Sequence, residues 1–183
     1  MQKYLLIVLF YSMQAFSQTP RIVNGQPASI QIYPWIVNYR NCSGTLIAPQ
    51  WVLTAAHCFS DFDPNAVPTL MLGSNNNINL ETAAISARAI QIIPHPEYQN
   101  YHNDLALIKL AEPINTVPIV TLRAEPNIPD DSKLLTLGWG ATAEDSQGEP
   151  IQFSPTLLQT RLAIKNNGFC SRHFGPGISD NML

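Results

Sequence analysis

The sequence predicts an all-β protein whose first folded region, residues 22–122, closes as a barrel or sandwich. Three observations carry this expectation. Apolar residues fall in short runs rich in β-branched and large side chains, each separated from the next by Pro, Gly, Asn or Asp. No stretch sustains a 3.6-residue apolar period between caps, which argues against long helices. The apolar fraction of 45% is enough for a real core, so a disordered chain is excluded.

In chain order, residues 1–17 read as a secretory signal peptide. Lys3 supplies the positive start, Tyr4 to Tyr11 the apolar centre, and Ala15 and Ser17 the small-residue cleavage pattern. The apolar run falls short of the ~20 residues that span a bilayer, so no stable membrane anchor is expected. The mature chain is expected to be secreted, to the extracellular space or a bacterial periplasm, where disulfides persist. Residues 18–21 form a short polar peptide. Strands are expected at 35–37, 44–47, 51–54, 70–72, 89–93 and 105–110. Residues 123–132, polar and proline-containing, read as a connector between domains. Beyond it, 133–139 and 157–164 read as strands and 140–154 as a loop. The Asn75-Asn76-Asn77 run reads as a loop tip.

The formal charge is only −3 and the cationic residues are scattered singly, so no basic stripe exists to meet phosphates and nucleic-acid partners are excluded. Three cysteines make an odd count for a secreted chain. A bridge between Cys42 and Cys58 would be worth roughly 3 kcal/mol for a loop of about 15 residues in the chain-entropy account. Cys170 is then left unpaired.

The segment Trp51-Val52-Leu53-Thr54-Ala55-Ala56-His57-Cys58 delivers a histidine at the end of a strand, with small alanines before it and a cysteine after it. A general base needs such a mounting, rigid yet reachable. Alone, His57 would read as a satisfied core histidine. In His102-Asn103-Asp104-Leu105-Ala106-Leu107-Ile108-Lys109-Leu110, however, a carboxylate stands at the mouth of an apolar strand. A histidine N–H is a fitting partner for it, and the pair would fix the imidazole tautomer. Without His57, Asp104 would be an ordinary turn residue.

With these motifs assembled, the chain resembles the trypsin and chymotrypsin family of serine endopeptidases. The resemblance runs from Arg21 to Leu183. It is carried by Arg21 before Ile22-Val23-Asn24-Gly25, by Leu53 to Cys58, by Asn103 to Leu110 and by Gly138-Trp139-Gly140. Cys42-Ser43-Gly44-Thr45-Leu46-Ile47 adds a fifth motif, with Ser43 where a second glycine is usual. It implies a double six-stranded antiparallel β-barrel, the first barrel complete over 22–122 and the second only partly present over 133–183. It implies His57 as general base and acid, Asp104 as its orienting carboxylate, and a bridge between Cys42 and Cys58. Arg21–Ile22 resembles a zymogen cleavage site, cut by a protease of trypsin-like specificity. Protein or peptide substrates are implied, and no cofactor.

Two departures stand out. The family's nucleophile lies in a G-D-S-G-G-P segment, and none of Ser132, Ser146, Ser154, Ser171 or Ser179 has that setting. The stretch from Asn167 to Leu183 resembles a family loop that ends in M-x-C. A C-terminally truncated protease, inactive alone and with the partner of Cys170 missing, is therefore expected. The alternative is a protease homologue that acts as a non-catalytic binding module. No metal is expected. The calcium-loop stretch from Ser74 to Asn79 has only Glu81 as a nearby acid, and His95 and His102 read as loop histidines rather than zinc ligands.

Overall fold

A computed structural model describes residues 25–39, 42–59, 67–76, 85–124, 128–147, 150–175 and 177–178. The signal peptide, the Arg21–Ile22 site, residues 125–127 of the connector and the stretch from Ser179 onward lie outside the described residues.

Six strands close into an antiparallel barrel: β2 (Ile36–Tyr39), β3 (Cys42–Ala48), β4 (Trp51–Thr54), β5 (Thr69–Leu72), β6 (Ile85–Pro94) and β7 (Ala106–Leu110). Around the wall the order is β2-β3-β4-β7-β6-β5. These are the six strands expected from the apolar runs, with β6 extended at its start. Alternate side chains point inward, as the two-residue strand period dictates. Val37, Tyr39, Leu46, Val52, Leu70, Leu72, Ala89, Ile108 and Leu110 fill the barrel and are almost wholly buried. Burying such a side chain is worth about 1.5–3 kcal/mol, so this layer dominates the stability of the region.

A second sheet joins β1 (Gln26–Pro27), β11 (Leu158–Ala163) and β8 (Lys133–Gly138), in that order. The opening residues thus pair with the later half of the chain rather than with the barrel, Gln26 facing Gln159 and Pro27 facing Leu158. Ile36, on the outer face of β2, packs with Ile30, Trp139 and Leu157 in a second apolar cluster that joins the two units. Asn75 adds polar fastening at the same place. Its carbonyl accepts the Trp139 indole N–H at 2.9 Å and the Leu157 N–H at 2.8 Å, and its side-chain oxygen accepts the Ile30 N–H at 2.7 Å. The first residue of the expected loop tip is therefore a junction.

The expected loop at 140–154 contains a hairpin, β9 (Ala141–Glu144) with β10 (Pro150–Phe153). Its Ala-Thr-Ala sequence lacks the apolar alternation of a buried strand, and Ile151 and Phe153 are exposed. A short helix, α1 (Asn167–Phe174), was also not expected. Asn166 caps it by accepting the Phe169 N–H at 2.9 Å, and Gly175 ends it at a positive φ of 91°.

Gly44, buried in β3, is required by close packing against β4. A Cβ there would lie 2.7 Å from Val52 Cγ1 and 2.9 Å from the Leu53 carbonyl oxygen. Gly44→Ala is expected to destabilise the chain by about 1–3 kcal/mol. The change should appear as a lower denaturant midpoint at unchanged slope.

Candidate active site

Strand β4 ends at Thr54, and the chain then tightens through Ala55 into a 3-10 turn, Ala56–Phe59, that carries His57. Small alanines let this turn sit close against the barrel mouth, and Ala56 is buried. A disulfide between Cys58 in the turn and Cys42 at the start of β3 ties it down. On the other side, β7 pairs with β4 so that Ala106 faces Thr54. Asp104, two residues before Ala106, therefore arrives beside the histidine.

The two side chains meet in a bidentate arrangement. Asp104 Oδ2 lies 2.7 Å from His57 Nδ1, and Asp104 Oδ1 accepts the His57 backbone N–H at 2.8 Å. A carboxylate can only accept, so Nδ1 carries the proton and Nε2 of the neutral ring is left as the acceptor. Partial burial pushes the Asp104 carboxyl upward. Hydrogen bonds from the His57 ring and from the backbone N–H groups of His57 and Ala56, with the charge of the ring, outweigh it and hold Asp104 below its ordinary value. The His57 side chain is 46% exposed against 22% for Asp104. The acid is thus sheltered while the base stays reachable.

The chain before Asp104 is held in a compact loop. The His95 N–H donates to the Leu105 carbonyl at 2.8 Å, and the His102 N–H to the Gln99 carbonyl, also at 2.8 Å. Asn100, Tyr101 and Asn103 adopt left-handed backbone, with φ of 48°, 65° and 51°. Asparagine tolerates this region, but it costs a tyrosine about 1 kcal/mol or more. Tyr101 is 66% exposed, and its ring centre lies 5.8 Å from that of His57. The sequence reading missed this neighbour. Its only signal was an aromatic residue in a polar loop three positions before Asp104.

Ligand atoms of Cys42, His57 and Cys58 lie within 4.8 Å of one another. Both sulfurs are joined to each other, so no thiolate is available and the trio is not a metal site. His95 and His102 belong to the loop just described. Residues 77–79 of the stretch considered for calcium, and Glu81, lie outside the described residues. Cys170 sits half-buried on α1 as a free thiol, with its sulfur 3.9 Å from the Lys165 carbonyl oxygen.

Asp104 titrates below its unfolded value, so its contribution to stability is present above about pH 4 and is lost as pH falls through the folded value. Asp104→Asn is expected to lower stability by about 1–2 kcal/mol at neutral pH. It should also flatten the acid limb of the stability profile below pH 4, as followed by urea unfolding at a series of pH values.

Residues 22–183 match the family model described as Trypsin. The chain is 31% identical over 174 residues to serine protease 56 of Mus musculus, an alignment covering 89% of this chain and 28% of that protein. It is 30% identical over 180 residues to transmembrane protease serine 9 of Rattus norvegicus, covering 92% of this chain and 17% of the relative. To glandular kallikrein-10 of Rattus norvegicus it is 31% identical over 206 residues, covering 98% of this chain and 74% of the relative. The chain thus spans less than a third of the length of the first two relatives.

Proposed function

The chain belongs to the trypsin family, and from that membership we propose that it carries the proton-handling half of a serine endopeptidase site. The observation that supports this most directly is the double contact between His57 and Asp104, which engages Nδ1 and the backbone N–H on the sheltered acid and keeps Nε2, 3.7 Å from Cys58 Sγ, out of that contact.

In this reading, Nε2 takes the proton of a serine hydroxyl as its oxygen attacks the carbonyl carbon of a peptide bond. The ring becomes an imidazolium, and Asp104, ionised and already bonded to Nδ1–H, stabilises that charge without taking the proton. The tetrahedral intermediate then collapses. His57 hands its proton to the departing amine, and an acyl-serine remains. Water then attacks the acyl carbon as it gives up a proton to Nε2, and when this second intermediate collapses that proton passes to the departing serine oxygen, releasing the acid. The sheltered position of Asp104 matters here, because a charge-assisted hydrogen bond is stronger where water is partly excluded.

The sequence contains no G-D-S-G-G-P segment, so this reading places the nucleophile outside these 183 residues, which alone are not expected to hydrolyse peptides. We further infer secretion as a zymogen. Residues 1–17 would direct export, and cleavage after Arg21 by a protease of trypsin-like specificity would free the amino group of Ile22. Among the described residues, no helix is long and apolar enough to cross a membrane.

The test is labelling of the protein in its complete, serine-containing form by an active-site serine probe. His57→Ala is expected to abolish labelling, with a loss of about 10⁴-fold or more in kcat. Labelling that persists undiminished in His57→Ala would overturn the assignment of His57 as the base.

A further inference from the structure

Tyr39 is an unusual occupant of the barrel interior. It stands among Val37, Leu46, Val52 and Ile108 and is 1% exposed, yet it carries a hydroxyl that an apolar core does not need. That hydroxyl lies 2.6 Å from Thr54 Oγ1. The Thr54 hydroxyl in turn donates to the Ser43 carbonyl at 2.8 Å, which uses its one hydrogen. Tyr39 must therefore be the donor in the first bond, and the chain of bonds runs from Tyr39 through Thr54 to Ser43. Burial pushes the Tyr39 phenol up, so it stays protonated and able to donate at neutral pH.

The two ends of the tyrosine point to the same place. Thr54 is the last residue of β4, just ahead of the turn that carries His57. Phe59 closes that turn, and its ring lies parallel to that of Tyr39, 5.8 Å between centres and 6° between planes. Tyr39 also faces Cys42 across the β2–β3 pair, beside the disulfide that holds Cys58. One side chain thus touches the residues on both flanks of the histidine, next to the bridge that pins its middle.

We propose that Tyr39 is a positioning residue for His57, setting the angle of the Ala56–Phe59 turn through its hydroxyl at one end and its ring at the other. The inference rests on the reading of His57 as the base. Its physical basis is that the turn carries both contacts to Asp104, one from the backbone N–H and one from the ring. A turn that rocks about β4 loosens both together, because both end on the same carboxylate.

Amide hydrogen exchange in the full chain tests this, because the His57 amide is protected by its bond to Asp104 Oδ1. Tyr39→Phe keeps the ring and deletes the hydroxyl, and Thr54→Val deletes the other half of the bond. Each is expected to speed exchange at His57 about fivefold, the effect of one hydrogen bond on a local opening. The double variant should go little further than either single one, since both break one relay. Thr54→Ser keeps the hydroxyl and should behave as the native chain does. Amides of Leu70 and Ala87, in the β5–β6 wall, should not change. Unchanged exchange at His57 in both deletions would overturn the proposal, as would an equal rise at Leu70 and Ala87. If Tyr39→Phe does not fold, the Thr54→Val and Thr54→Ser pair gives the same decision. The readout does not depend on catalysis, so failure of the probe experiment and failure of this one are separate results.

Discussion

Strands β4 and β7 lie side by side with Thr54 opposite Ala106, and Val52 and Ile108 facing each other as buried core residues. The position of the histidine and of the acid both follow from that register. A slip of β7 by one residue turns every one of its side chains to the opposite face, which would expel Ala106, Ile108 and Leu110 from the core. Burial of these three alone outweighs any plausible gain from a slipped pairing. The apolar core therefore fixes the polar site. Asp104 stands beside His57 because Ile108 and Leu110 must be inside.

Around this register the rest of the site is bracing. The disulfide holds the turn from below, Asp104 holds its face, and Tyr39 holds its flanks. None of these contacts is individually large, since a net hydrogen bond contributes about 1 kcal/mol. Their value lies in acting on one four-residue turn, so that an imidazole nearly half open to solvent still keeps a single orientation. Asn75 does comparable work with three hydrogen bonds, tying the barrel to Ile30, to Trp139 just after β8 and to Leu157 just before β11.

Much of this was legible in the residues. The run 51–54 matches β4 residue for residue, because it is a short run of large apolar and β-branched side chains. Asp104 before an apolar strand, and His57 after one, were both visible as chemistry in need of partners. The β9–β10 hairpin was not visible, because its strands are polar or exposed and pair through backbone bonds that no side-chain pattern announces. Helix α1 was missed since eight residues are too few to show a period, although Asn166 and Gly175 were signals at its ends. The tie from Tyr39 to Thr54 joins residues on different strands, and only the closed barrel brings them together.

The pairing of β1 with β11 has a consequence for the order in which the protein is made. Gln26 finds Gln159 and Pro27 finds Leu158, partners far apart in the sequence. The barrel needs nothing beyond Leu110 for its walls. At synthesis rates of about 5–20 residues per second, the barrel can close while the partner of β1 has yet to be made, leaving Gln26 and Pro27 unplaced for roughly 2–10 seconds. Gln26 and Pro27, made before the barrel, are then among the last to settle, and their docking reports that β11 has arrived.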